Sequence, residues 1–193
     1  MERGVGGSGF EDAMTGAMRI GFGYDSHRFD EARPLVLGGV EIPDHPGLAG
    51  HSDGDAVAHA IVDALLGAAA AGDIGRHFPP DEPEWKDADS MELLARAVAI
   101  LDEREYRISN VDVTVICERP KIAPHSDSMR QRLGHVLRLP TDAISIKGKT
   151  NEGMGWIGSG EGVAVHVVAL LMAAGEDALP GDHSGTPSLR GTA

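Results

Sequence analysis

Ile20-Gly21-Phe22-Gly23-Tyr24-Asp25-Ser26-His27 opens the ordered part of the chain, and its reading decides the rest. The apolar run Ile20 to Tyr24 predicts a strand, and Asp25 and His27, two residues apart at its end, then leave the same face of the sheet. A second stretch, His51-Ser52-Asp53-Gly54-Asp55-Ala56-Val57-Ala58-His59, reads as a loop entering a helix. His51, Ser52 and Asp53 are short polar cap residues ahead of a helical run to Ala71. Asp55, His59 and Asp63 recur every fourth residue and so form one polar stripe on an apolar helix. Two imidazoles and one carboxylate, from His27, His59 and Asp25, supply three ligands to a divalent metal and leave a position open, as catalytic zinc sites do. The residues alone leave a second reading open. An Asp-x-His pair also suits a turn or a solvated strand end, and a helical His also suits a satisfied core position.

Working outward, 193 residues suffice for one domain with a sizeable core. A net charge of −13 argues against nucleic-acid or anionic-membrane binding, since no overall field attracts phosphate backbones. A small phosphorylated ligand stays compatible, because a local cluster or a metal outweighs the global field. The single cysteine, Cys117, predicts no internal disulfide and a reducing compartment, hence a cytoplasmic protein. Met1 to Gly16 is Gly-rich and lacks the apolar segment of a signal peptide. No apolar run approaches the ~18 residues of a membrane span.

Residues 1–17 and 175–193 read as flexible extensions around a single domain at 18–174. Leu35 to Ile42 predicts a hairpin turning at Gly38-Gly39. Pro43 to Asp53 reads as a loop and a candidate mobile lid. A helix from about Asp55 to Ala71 follows, and Asp89 with Glu92 forms a capping box for another, with Leu93, Leu94, Ala97, Val98 and Leu101 on its apolar face. Asn110 to Glu118 predicts a strand, Ser126 to Leu139 a helix, and Ala143 to Lys149 a strand. Gly148 to Gly162 forms a Gly-rich loop, and Val163 to Leu171, apolar throughout, a buried strand. The predicted class is α+β, a two-layer α/β sandwich whose mixed four- to five-stranded sheet is covered by helices on one face.

Lys147, Lys149, Thr150, Asn151 and Glu152 cluster ahead of that Gly-rich loop. They read either as a phosphate cradle with Glu152 as an oxygen ligand for Mg²⁺, or as a solvated hairpin tip. The Gly-x4-Gly-Lys-Ser/Thr order of a P-loop is absent, and no Gly-x-Gly-x-x-Gly fingerprint follows the first strand, so dinucleotide binding is unsupported. Cys117 on a predicted strand reads as core rather than nucleophile. His77, His125, His135, His166 and His183 have no evident partners and are assigned to the surface or to interfaces.

These motifs, taken in order, resemble the 2-C-methyl-D-erythritol 2,4-cyclodiphosphate synthases, enzymes of non-mevalonate isoprenoid biosynthesis. The resemblance spans Met18 to Ala174 and rests on Arg19 to Phe29, His51 to Asp55, Asp63 to Gly67, Gly72 to Gly75, Asn110 to Thr114, Pro120-Lys121 and Gly160 to Gly162. It implies a homotrimer with sites between neighbouring subunits. Zn²⁺, or another divalent transition metal, is implied on Asp25, His27 and His59, and Mg²⁺ or Mn²⁺ on Glu152. His51 and Thr150 match the catalytic, transition-state-stabilising positions, with Ser52 beside phosphate. Asp73, Ile74 and Gly75 are implied at the methylerythritol hydroxyls, and Cys117, Pro120, Lys121 and Ala123 around a cytidine diphosphate moiety. Lys149, Thr150 and Asn151 fall on its phosphates, and Phe78, Asp81 and Trp156 among further substrate contacts. The implied reaction is intramolecular phosphoryl transfer with release of CMP. The chain departs from the family pattern at Phe78-Pro79-Pro80-Asp81-Glu82, at Lys149, and at Ser159 in place of a usual Arg. That last change argues against an isoprenoid diphosphate in the central trimer cavity. Two other functions fit parts of the pattern: a non-haem Fe(II) oxygenase, since two His and a carboxylate also make a facial triad, and a non-catalytic trimeric ligand-binding protein.

Overall fold

The computed structural model describes residues 18–79, 81–85 and 88–174. The two extensions, and with them His183, lie outside the described residues. The chain opens with a long strand, β1 (Met18–Leu37), which turns back into β2 (Val40–Leu48). The turn is Gly38-Gly39, with φ of 59° and 70°. Both angles belong to the tight hairpin turn that matches strand twist, and both are strained for a residue with a Cβ. Then come α1 (Ala56–Ala68), α2 (Ile74–His77), α3 (Ser90–Glu103), β3 (Tyr106–Ile116), α4 (Ser126–Leu137), β4 (Ile144–Lys149), α5 (Gly155–Gly158) and β5 (Gly162–Ala173). The sheet has five strands in the order β2-β1-β5-β3-β4. All neighbours are antiparallel except the parallel pair β3 and β4. The predicted α+β class and mixed sheet hold.

The strand predicted over Ile20 to Tyr24 continues much further, through the polar segment Ser26 to Arg33. The expected loop at Pro43 to Asp53 is a larger departure. Most of it is β2, paired with β1 at Phe29–Leu48, Asp30–Gly47 and Pro34–Pro46. Pro43 and Pro46 read as breakers, yet β2 is a sheet edge, where a missing N–H is tolerated, and the register shifts at Pro34 absorb the irregularity. Only a short loop before α1 remains of the candidate lid.

One face of the sheet carries the core. Val111, Val113 and Val115 of β3 and Val163, Val165, Val167, Ala169 and Leu171 of β5 are buried there with α1, α3 and α4. On β1 this face presents Gly21 and Gly23. A Cβ on Gly21 would lie 1.8 Å from the Ala64 carbonyl oxygen, and one on Gly23 would lie 1.8 Å from that of Ala60. The backbone of α1 therefore rests directly on the backbone of β1, which only glycine permits.

Asp55, not the expected His51, Ser52 or Asp53, caps α1. Its carboxylate is fully buried and accepts from the N–H groups of Val57, Ala58, Gly38 and Gly39 at 3.0, 3.1, 2.9 and 2.6 Å. Burial pushes its carboxyl up to about 6 against the pull of those donors. The polar stripe on α1 thus begins with a group that ties helix start to hairpin turn. Asp89 caps α3 by accepting from the Met91 N–H at 2.8 Å.

The opposite face of the sheet is apolar and open. Met18, Ile20 and Phe22 are 70, 74 and 61% exposed, and Tyr24, Val168 and Met172 are exposed as well. β5 was expected to be buried on both faces. In the single chain its helix-facing residues and Ala164 are buried, while Val168 and Met172 are exposed.

Gly23→Ala is expected to force α1 off β1, costing about 3 kcal/mol, the upper part of the usual overpacking range. His59 would be carried away from the strand with the helix. Urea unfolding, paired with a chelator-competition measurement of zinc affinity, checks both effects.

Candidate metal centre

Close contact between α1 and β1 sets the site. Asp25 and His27 lie on the helix-facing side of β1, in step with Gly21 and Gly23, and His59 lies on α1 beside the contact at Ala60. Asp25 Oδ2 is 2.8 Å from His27 Nε2 and 3.1 Å from His59 Nδ1, and the two ring nitrogens are 3.3 Å apart. All three side chains are partly buried. Three ligand atoms within 4.8 Å of one another, drawn from Asp25, His27 and His59, fit a single divalent ion.

The outer ring nitrogens support that fit. His27 Nδ1 meets the Ala49 carbonyl oxygen, which can only accept, so the proton sits on Nδ1 and the Nε2 lone pair faces the triad. His59 Nε2 lies 2.9 Å from Ser52 Oγ and 3.0 Å from Ser90 Oγ, which leaves Nδ1 for the triad. Burial alone would raise the Asp25 carboxyl, but hydrogen bonds and charge from His27 and His59 hold it well below the usual carboxylate range. Burial likewise opposes a charged His27 ring, yet Asp25 and the Ala49 carbonyl carry its pKa above the ordinary histidine value. Such a triad favours a cation at its centre, be it a proton or a metal.

A cavity of about 240 Å³ opens over the triad, lined also by His51, Ser52, Asp63, Ile74, Gly75 and Phe78. Arg33 holds the loop at its rim by donating to the carbonyls of Gly50 (2.6 Å) and Ser52. Asp63, one turn along α1 from His59, accepts from the Ile74 N–H at 2.8 Å. It fixes the start of α2, which carries Ile74 and Gly75. Asp73 caps α2 by accepting from the Arg76 N–H at 2.9 Å. Asp81 is exposed and is not among the cavity's lining residues.

A second cavity, also of about 240 Å³, lies where β3 and β4 end. Cys117, Pro120, Lys121, Ala123, Lys149 and Thr150 line it, six residues the sequence places around one ligand. Burial pushes the Cys117 thiol up to about 11, with Glu118 adding to the shift, and the thiol donates to the Pro120 carbonyl at 3.4 Å. It is a wall of the cavity, not a nucleophile. Thr150 Oγ1 donates to Glu152 at 2.6 Å, and the exposed Glu152 carboxylate keeps oxygens for a hard cation such as Mg²⁺. The Asn151 side chain donates to the Met154 carbonyl at 2.7 Å, and Trp156, half exposed on α5, borders a shallower hollow with His27 and Glu161.

Sequence reasoning passed over Glu118. Its Oε1 accepts from the N–H groups of Asn151 and Gly153 at 3.0 and 3.2 Å and so shapes the loop that presents Thr150 and Glu152. No local signal marks it, because its partners lie more than 30 residues away.

The two cavities share no lining residue. β5 runs between their strands, with Ser26 of β1 and Ile116 of β3 paired to Ala164 from opposite sides. Two strand spacings, about 10 Å, therefore separate the two strands at that level.

A one-sided α+β sheet that brings Asp25, His27 and His59 together defines a class of protein with a candidate divalent-metal site. The chain belongs to the YgbB family, whose model matches residues 18–172. It is 56% identical over 154 residues to the 2-C-methyl-D-erythritol 2,4-cyclodiphosphate synthase of Symbiobacterium thermophilum, covering 80% of this chain and 98% of that one. Its fold matches a cyclodiphosphate synthase solved with CDP bound, at 40% identity and a TM-score of 0.73, over 79% of this chain and 99% of the other. It also matches the bifunctional IspDF of Campylobacter jejuni at a TM-score of 0.80 and 40% identity, over 82% of this chain but 43% of that longer one.

Metal and proton compete for His27, whose pKa is raised. Metal affinity is expected to hold above that raised pKa and to fall once the pH drops below it, by about tenfold per unit for each competing proton. Chelator competition across a pH series checks this.

Proposed function

We propose that the chain cyclises 4-diphosphocytidyl-2-C-methyl-D-erythritol 2-phosphate to 2-C-methyl-D-erythritol 2,4-cyclodiphosphate with release of CMP. One observation carries this reading: Asp25 Oδ2, His27 Nε2 and His59 Nδ1 converge at the mouth of a cavity that also holds His51 and Ser52. An oxygen of the 2-phosphate attacks the β-phosphorus, the bond from that phosphorus to the CMP oxygen breaks, and CMP departs with the electron pair. A phosphate monoester loses its second proton near pH ~6, so the nucleophile is already anionic and no side chain need act as general base. What the chain must do is hold both ends of the substrate and oppose their mutual repulsion.

Lys149 and Thr150 are placed to grip the nucleotide phosphates from the second cavity, with Cys117, Pro120 and Ala123 enclosing the base. Ile74 and Gly75, held by Asp63 at the start of α2, offer contacts to the polyol. His51 at the rim faces the reacting phosphates, and Ser52 lies against His59 beneath them. When bound, a divalent ion on the triad and a second on Glu152 supply Lewis-acid stabilisation of the charge developing on the diphosphate. Zinc suits the first donor set and Mg²⁺ or Mn²⁺ the second.

The substrate takes the triad cavity from one copy and the nucleotide cavity from a neighbouring copy. The open sheet face is where those copies meet in this reading. Met18, Ile20, Phe22 and Tyr24 with Val168 and Met172 form an apolar surface that a lone chain leaves in water. Three such faces turned inward make a homotrimer with a site at each junction. A reducing, cytoplasmic setting suits the free buried Cys117.

His59→Ala is expected to abolish zinc binding and to lower the rate of CMP release by on the order of 10³-fold or more, as loss of a metal electrophile worth several kcal/mol requires. Turnover at the wild-type rate would dismiss the assignment, and CMP release itself separates this chemistry from an oxygenase or a binding protein. Sedimentation equilibrium is expected to give three times the 20.2 kDa chain mass. Phe22→Asp should shift it towards the monomer, with activity lost alongside; a monomeric, active wild type would defeat the shared-site reading.

A further inference from the structure

Ser90 is fully buried and polar, at the first position of α3 and remote in sequence from every residue of the triad. Its hydroxyl donates to Asp53 Oδ1 at 2.5 Å, and its backbone N–H donates to Asp53 Oδ2 at 3.1 Å. Asp53 is itself anchored: its N–H donates to the Ala88 carbonyl at 3.1 Å and its Oδ1 accepts from the Asp55 N–H at 3.1 Å. With its one proton committed to a carboxylate, Ser90 Oγ can only accept from its other neighbours. Those neighbours are His59 Nε2 at 3.0 Å and Ser52 Oγ at 3.2 Å.

We propose that Asp53 and Ser90 are positioning residues of the metal centre, fixing the ring orientation and tautomer of His59 through its far nitrogen. The inference rests on the metal reading of the triad. An acceptor-only Ser90 oxygen requires the proton on Nε2 and so keeps the Nδ1 lone pair directed at Asp25 and His27. Ser52 cannot replace it. Ser52 Oγ already accepts from the Gly54 N–H at 3.3 Å, and its own hydroxyl proton needs an acceptor. Ser90 Oγ is that acceptor in the intact protein. Without it, the Ser52 proton turns to His59 Nε2 and favours the opposite tautomer, which puts a proton where the metal must bind. Carboxylate, hydroxyl and imidazole thus act in series, as outer partners do in metal sites where their loss costs about 10–100-fold in affinity. Asp53 does this from the loop and Ser90 from α3, so the clasp also joins the two elements that flank the ring.

The test compares zinc affinity, by competition with a chromophoric chelator, in the full-length wild type, Ser90→Ala and His59→Ala. Imidazole ¹⁵N spectra of the metal-free proteins are read alongside. Ser90→Ala is expected to bind zinc about 10–100-fold more weakly and to show the His59 Nδ1–H tautomer gaining over Nε2–H. A cobalt-substituted sample should show altered d–d absorption. Should Ser90→Ala fail to fold, Ser90→Cys, close in size but a poor acceptor, is expected to move both readouts in the same direction. Zinc affinity within twofold of wild type and an unchanged tautomer in the folded variant would overturn the proposal. Were the wild type itself to bind zinc no better than His59→Ala, the metal reading beneath it would fail instead.

Discussion

The backbone contact between α1 and β1 governs this molecule. At Gly21 and Gly23 the strand offers no side chain, and the helix settles close enough for Ala60 and Ala64 to meet strand backbone. That closeness puts His59 level with Asp25 and His27, since a helix at ordinary distance from a sheet, with side chains between, would hold the imidazole several ångströms away. The same alternation that points Gly21, Gly23, Asp25 and His27 towards the helix sends Ile20, Phe22 and Tyr24 to the other face. One strand therefore serves the core, the metal centre and the open apolar surface at once.

The buried polar groups gather around the start of α1, drawn from its cap, the loop before it and the start of α3. Ser52, Asp55 and Ser90 are the buried polar residues among those described, and each has hydrogen-bond partners that account for its burial. Asp55 satisfies four N–H groups from a hairpin and a helix start, so its burial organises backbone that would otherwise need other acceptors. The Asp25-His27-His59 triad lies at the edge of this polar island, partly screened from water, where interactions with a charged ligand are stronger than at the surface.

Much of this was legible in the sequence, where local pattern and tertiary role coincide. Gly38-Gly39 between alternating runs gives the hairpin, the apolar period of Leu93 to Leu101 gives α3, and Asp25, His27 and His59 stand out because their spacings place them on common faces. Legibility stops where the deciding partner is remote. Nothing near Pro43 and Pro46 says that they form a sheet edge, because that depends on pairing with β1. Nothing near Glu118 marks the loop it holds, and nothing in the polar stripe on α1 shows that Asp63 accepts from the Ile74 N–H. The cap of α1 was misplaced for a related reason. His51, Ser52, Asp53 and Asp55 all suit that role locally, and only the hairpin's need for an acceptor selects Asp55.

Arg33 carries a consequence for how the site admits its ligand. Its guanidinium spans the carbonyls of Gly50 and Ser52, on either side of His51. The main chain at His51 is therefore pinned at both shoulders, while its imidazole stands out in solvent. Motion here belongs to rotation about side-chain bonds, like an arm swinging from a fixed socket. Such a device changes its contacts within nanoseconds and sacrifices little order when it grips, so the entrance to the metal needs no large segment to fold over it.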